Sequence, residues 1–463
     1  GKANSTSTIA VNGMSGDEGD DTIINSETGE VVADAKATAD SGSVSIALGG
    51  VADAEARSSI LADATGLSGG AGDDGILNAG LLNVLSHSRS TASGASVSFF
   101  GVTGAKAGTE VETRAVGISG GFGMDYIANT GKIRVGTAED ATGDEQYMAV
   151  LRGSATSGGL AGVANAEASA FASTEATGID GGDEADTIYN SGDIIVNANS
   201  LSVTSSGSVS IFGSSSADGV AGSTTFTRGI DGGAGNDLIN NSANMKLDAT
   251  SELNMNGGSY TFAGSSNSGG TLAALTYIEA IQGGDGDDHI ASNGIVDVDA
   301  SSIMNSSNGS SAAFGGSAAS VTSGGRTYAT GFTGGEGDDY VENSENGVLN
   351  VTARTDVDAT ALSYSFAGGS ATDTMLSGNA FATGLKGESD DDNLRNEGTI
   401  NVLADSTLTS TGGAKSTITA TGGADASGSS VAASSAVGLD GGDGADLLET
   451  YSVLTVNSRS TAE

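Results

Sequence analysis

Apolar and polar residues alternate with a period of two along most of this 463-residue chain, the pattern of strands that turn one face inward. The i, i+3, i+4 spacing of an amphipathic helix has little support. Runs such as SVSIALGG from Ser43, SVSIFG from Ser208 and SYSFAGG from Ser363 alternate and close on glycine, whereas GKIRV from Gly131, GDIIV from Gly192 and GTINV from Gly398 start from a glycine turn. Alanine fills alternate positions in ANAEASAFAS from Ala164. The turn signals between these runs predict about four short strands in each unit of the pattern.

The unit repeats along the whole chain. An 11-residue motif of glycines and acids closing on an aliphatic residue occurs nine times. The copies are GMSGDEGDDTI (Gly13), GLSGGAGDDGI (Gly66), GISGGFGMDYI (Gly117), GIDGGDEADTI (Gly178), GIDGGAGNDLI (Gly229), AIQGGDGDDHI (Ala280), GFTGGEGDDYV (Gly331), GLKGESDDDNL (Gly384) and GLDGGDGADLL (Gly438). Their last aspartates, Asp21, Asp74, Asp125, Asp186, Asp237, Asp288, Asp339, Asp392 and Asp446, are spaced by 53, 51, 61, 51, 51, 51, 53 and 54 residues. Asparagine often follows four positions later, at Asn25, Asn78, Asn129, Asn190, Asn241, Asn343 and Asn396. So regular a period predicts one continuous array over residues 1–463, without separate domains. NSETGEV (Asn25 to Val31) and NSENGVL (Asn343 to Leu349) read as turn insertions, and the long spacing reads as a loop insertion at 139–148 that leaves the stack.

Repeats of this kind cannot each bury enough apolar surface alone, so the expected fold is all-β: a parallel β-solenoid of nine repeats, its equivalent strands stacked at about 4.8 Å. One coil of about 51 residues per repeat and two coils of about 25 both fit the spacing; the shorter coil is the preferred expectation. The handedness of parallel crossovers favours a right-handed winding.

Composition narrows the function classes. With 75 Gly, no Pro, no Cys, no Trp and only 4% aromatics, the chain is unlike an ordinary globular enzyme, and absent proline leaves every strand donor in place. Low hydrophobicity and high charge are also the composition of disorder, against which stand the strict alternation and the absence of proline. The balance of 58 acids to 17 bases, a net charge of −41, offers no footprint for nucleic acid or an anionic membrane. No apolar run reaches the roughly 18 residues of a membrane span. The start at Gly1, without an initiator Met or a leader, reads as a mature or excised segment. Without cysteine the chain has neither disulfides nor thiolate sites, which is compatible with an oxidising compartment.

The acids concentrate in the motifs: 26 of the 58 fall in the nine windows. Stacked turns would bring these carboxylates within a screening length of one another, so a cation is expected among them. Carboxylates with the carbonyls of glycine turns are the hard oxygens that Ca²⁺ prefers, and Mg²⁺, with its stricter octahedron, comes second. Here the chain resembles a known family. GGAGDDGIL (Gly69 to Leu77), GGDGDDHIA (Gly283 to Ala291) and GGEGDDYVE (Gly334 to Glu342) are similar to the hemolysin-type, or repeats-in-toxin, calcium-binding nonapeptide GGxGxDxUx. The resemblance implies Ca²⁺ at Asp21, Asp74, Asp186, Asp237, Asp288, Asp339 and Asp446, with the neighbouring Asp20, Asp73, Asp287 and Asp338. It implies turn and carbonyl positions at Gly70, Gly72, Gly233, Gly235, Gly284, Gly286, Gly335, Gly337, Gly442 and Gly444. The family runs its nonapeptides in tandem, whereas one copy per repeat occurs here. Glu184 replaces a glycine, GESDDD in the eighth motif has lost most of them, and Asp125 has no other acid in its motif.

A plainer reading makes the Asp-Gly clusters solvated turns. Catalysis is disfavoured: His87 and His289 stand in different repeats, the acids recur in every repeat, and an active site would break the periodicity once. The threonine alternations near Thr407 and Thr417 are not repeated in every unit, as an ice-binding face requires. The expectation is a calcium-stabilised extracellular structural protein of a bacterial surface, part of a filament, matrix fibre or giant adhesin stalk, associating end to end with its own kind. The alternative is a module that binds glycans or cells through one face, with the 139–148 loop as the candidate contact. A polysaccharide-acting enzyme is the third choice.

Overall fold

A computed structural model describes residues 1–138, 141–418 and 423–463. The chain is an all-β parallel solenoid with one coil per repeat. Pairing runs from each residue to the one a full repeat later, as in Ile194 with Met245 and Met245 with Val296, so the expected 25-residue coil is replaced by a 51-residue one. The reason lies in the alternation, which continues unbroken where glycine turns were expected to divide it.

Each coil has three sides. A four-residue strand such as Tyr340–Asn343 is followed by a long first arm, Val348–Ala367, a corner, and a return arm, Ser370–Ser389. In the earlier coils the two arms form one strand bent at the corner, as in Glu30–Ala71 and Leu81–Phe122. An arm of 20 residues extends about 66 Å, while nine stacked rungs rise only about 43 Å. The solenoid is therefore wider than its stack is tall.

The arms face one another across a thin interior. Ser58 Oγ donates to Ala39 O at 2.5 Å and Ser202 Oγ to Gly222 O at 3.2 Å, contacts between residues about twenty apart on opposite arms. Side-chain size decides the taper. At the motif end the third side opens the section into a triangle filled by Ile76, Ile127, Ile188, Ile239 and Ile290 from the short strands, with Leu82, Ile133 and Ile194 from the first arms and Leu67, Ile118, Ile179 and Phe332 from the return arms. Between this triangle and a second apolar cluster nearer the corner, which holds Leu253, Met255, Met304, Val357, Leu376 and Leu408 in the later coils, Ala and then Ser and Thr take the inward positions. They close the gap with hydroxyl networks such as Thr276–Ser302–Thr327–Thr355, whose links measure 2.8–2.9 Å.

The insertions sit where the register shifts. Leu85 pairs with Gly136 but Ser88 with Ala149, so the extra residues lie between Gly136 and Ala149. Glu139 and Asp140, in the expected loop, lie outside the described residues. The described part folds back along the first arms. Asp144 meets Arg152 at 2.7 Å and Arg89 at 3.5 Å, and Tyr147 Oη donates to Glu252 Oε2 at 2.6 Å. The loop thus lies flat across several rungs. The two turn insertions close on bonds from Gly29 N to Ser26 O and from Gly347 N to Ser344 O.

Candidate functional site

The motifs stack at the corner between the return arm and the short strand, where three polar ladders run along the axis. The innermost is built from the last motif aspartates. Each backbone N–H donates to the Oδ1 of the aspartate one coil later: Asp21 to Asp74, Asp74 to Asp125, Asp125 to Asp186, Asp186 to Asp237 and Asp237 to Asp288, all at 2.7–2.8 Å. The row continues from Asp288 to Asp339 at 2.8 Å, Asp339 to Asp392 at 3.0 Å and Asp392 to Asp446 at 3.1 Å. Oδ1 is thereby satisfied from Asp74 through Asp446. The other oxygen is not: Oδ2 of Asp21, Asp74, Asp125, Asp186, Asp237, Asp288, Asp339 and Asp392 is buried without a hydrogen-bond partner.

The second ladder is the exposed neighbour, and it runs in the opposite sense. Asp20 Oδ1 accepts from Asp73 N, Asp73 Oδ1 from Met124 N, Asp287 Oδ1 from Asp338 N, and Asp338 Oδ1 from Asp391 N, at 3.0–3.1 Å. Carboxylates of this row reach towards the C-terminal coil, those of the inner row towards the N-terminal one. The third ladder is amide to amide, Asn25 to Asn78 to Asn129 to Asn190 to Asn241, at 2.6–2.7 Å.

The expected glycines form the turn beside these rows. Gly70, Gly72, Gly233, Gly235, Gly284, Gly286, Gly335, Gly337, Gly442 and Gly444 all have positive φ. At Gly335, φ is 133° and a Cβ would lie 1.8 Å from Gly284 O, so that carbonyl points along the stack at the next glycine. The substitutions that weaken the motif fall on the same conformation: Glu184 (φ 74°), Glu388 (φ 105°) and Asp390 (φ 74°) hold left-handed backbone that costs a side chain about 1 kcal/mol or more.

Burial dominates the electrostatics of the inner row. It pushes Asp186 and Asp288 up to about 8, Asp339 to about 7, and Asp125, Asp237 and Asp392 to about 6. Backbone donation from the preceding coil opposes the rise. A row of buried carboxylates can be relieved in two ways, by a proton on each or by a cation between them.

The donors fit a hard divalent cation in kind. A Cβ on Gly69 would meet Asp74 Oδ2 and Gly120 O, each at 2.4 Å, and Gly120, Gly181, Gly232 and Gly283 are placed alike, so an orphan carboxylate oxygen and a main-chain carbonyl share each cradle. Among the described residues no three His, Cys, Asp or Glu side chains gather around one point. An ion here would therefore draw on the inner aspartates and on carbonyls. Asp20, Asp73, Asp287 and Asp338 belong to the separate outer row.

Sequence reasoning missed two groups of residues. Asp125 and Asp392 stand in the inner row like the rest, a placement their register already carried. The first glycine of each nonapeptide, such as Gly69, Gly232 and Gly283, forms the cradle. Elsewhere, His289 stacks on Tyr340 with ring centroids 4.7 Å apart, and burial lowers the pKa of His87, which lies near Lys36 and Glu145 of the loop. No helix among the described residues is long and apolar enough to cross a membrane. Compared with protein-family models, with curated proteins and with solved structures, the chain matches none.

Proposed function

We propose that this chain is a structural β-solenoid stabilised by calcium, working outside a bacterial cell as part of a surface filament, matrix fibre or adhesin stalk. The observation that carries the reading is the row of eight buried, unpartnered aspartate oxygens running along one edge. A hard dication bound to such oxygens supplies charge compensation. The chain's own part is to hold the carboxylates in register by the backbone donors of the preceding coil and to present glycine carbonyls beside them. Sites absent from an unfolded chain turn binding energy into folding energy. That coupling suits a protein that folds where calcium is plentiful. The inner aspartate ladder, continuous from rung to rung, also favours growth along the axis, by further rungs or by another copy, and filaments under the electron microscope are expected.

The test is circular dichroism with thermal melting in millimolar calcium, in excess chelator, and in magnesium. Loss of β signal or a large fall in Tm on chelation, restored by calcium and not by magnesium, supports the reading. A melt indifferent to chelator would sink it and leave the aspartates as turn residues of a metal-free solenoid.

A further inference from the structure

The corner opposite the motifs carries a second, differently built surface. In a chain of net charge −41, residues 41–52, 90–105, 153–166, 194–217, 253–278, 300–325 and 359–372 hold no charged side chain, and 406–418 hold only Lys415. These segments are the corner and its flanks in successive coils, so the register stacks them into one uncharged edge. The motif acids lie at the other end of the arms, about 66 Å away, far beyond the screening length of physiological salt, about 8 Å, and the nearest exposed acids, such as Asp53, Asp218 and Asp373, stand on the return-arm side of the corner.

That edge is also apolar and shaped. Phe100 is 61% exposed, Phe212 54% and Phe314 49%. Phe212, Phe262, Phe314 and Phe366 form a continuous ridge of edge-to-face rings with centroids 5.5–6.3 Å apart. Beside it runs a groove of about 710 Å³ lined by Gly207, Gly258, Tyr260, Gly309, Leu362 and Tyr364, with Lys415 at its C-terminal end. Ridge and groove run parallel to the stack on the same face. A two-fold axis would lay the ridge of one molecule into the groove of another.

We propose that this uncharged edge is a lateral interface between two copies of the chain. Two molecules of such charge repel wherever acids face each other, and this edge is where they meet without that cost. Eight rungs give a strip about 40 Å long, and three outward rows make it about 20 Å wide. The resulting ~800 Å² per partner is the size of a standard stable interface. The pairing is independent of calcium binding at the opposite edge. It would join solenoids side by side, with their acidic edges outward.

The experiment is sedimentation velocity of the whole chain in calcium buffer across micromolar concentrations and at low and high NaCl. A dimer that tightens as salt rises is expected, because salt screens the repulsion and leaves the apolar contact. Phe212→Glu combined with Phe314→Glu should weaken it about 100-fold with the β circular dichroism unchanged. Because the chain lacks cysteine, Phe262→Cys provides a second measurement: a short thiol cross-linker should join these molecules, and should not join Glu345→Cys, whose thiol would lie at the motif end. A monomer under all conditions, a dimer untouched by the paired glutamates, or cross-linking at position 345 in preference to 262 would overturn the proposal. So would a monomer whose binding to neutral phosphatidylcholine vesicles is abolished by the glutamates, which would make the edge a membrane contact.

Discussion

An aspartate buried in a row of its own kind resists ionisation, and the inner ladder turns this into a pH dependence. Asp186 and Asp288 are pushed up to about 8 and Asp125 to about 6, against an unfolded value near 4. A carboxyl whose folded pKa is raised contributes stability that is complete below the unfolded value and is lost as pH rises through the folded one. In chelator, therefore, Tm should fall between about pH 4 and pH 8. In calcium the same scan should be nearly flat over its upper half, since the cation replaces the proton. Melting curves at several pH values with and without chelator check both. Backbone strain gives a second residue-scale expectation. Glu388 sits at φ 105° where the preceding coil has Gly335, so Glu388→Gly should stabilise by about 1 kcal/mol. Gly335→Ala should cost more than about 2 kcal/mol, because its Cβ would press on Gly284 O at 1.8 Å. Denaturant unfolding of the two variants measures both changes.

Among the ladders, the asparagine row shows what one break costs. Asn241 Nδ2 donates to Ser292 Oγ at 3.0 Å, and the row resumes from Asn343 to Asn396 at 2.8 Å. Serine lacks a second arm with which to reach the next rung, and Asn343 Oδ1 is left buried without a partner. Ser292→Asn would supply the missing donor while accepting from Asn241. It should stabilise the protein by about 1 kcal/mol, read as a higher denaturant midpoint with an unchanged slope. An Asn129→Ala variant should do the reverse, leaving Asn78 Nδ2 without its acceptor and Asn190 Oδ1 without its donor.

Across the whole molecule, each coil touches its neighbours through the same ladders, so stability adds along the stack in the manner of a repeat protein. Removing residues 340–392 joins Asp339 to Asn393 and deletes one complete coil. The coils on either side carry matching short strands, arms and ladder residues, so the shortened chain should fold with the same β signal per residue and a modestly lower Tm. A deletion of half that length would place the first arm where the return arm belongs and should not fold. Circular dichroism and sedimentation of the two deletions distinguish an array of 51-residue coils from one of shorter coils.

The sequence by itself determined the fold class, the number of repeats, the position of the inserted loop and the line of aspartates. All of these follow from periodicity, and in a stacked array periodicity is geometry: Asp21, Asp74 and Asp125 must lie on one line once the repeat is known. The path within a coil was not legible. A glycine in an alternating strand and a glycine at a corner look alike in sequence, so Gly42 in mid-arm and Gly50 at a corner with φ 94° could be told apart only once the arms were seen to pack face to face. That pairing made one 51-residue coil of what read as two. The tertiary structure alone also decided which carboxylate oxygen finds a partner, since Oδ1 is met by a backbone N–H from the preceding coil and Oδ2 by none. It alone gathered the uncharged segments of eight coils into one edge, because an absence of charge carries no motif until the register stacks it.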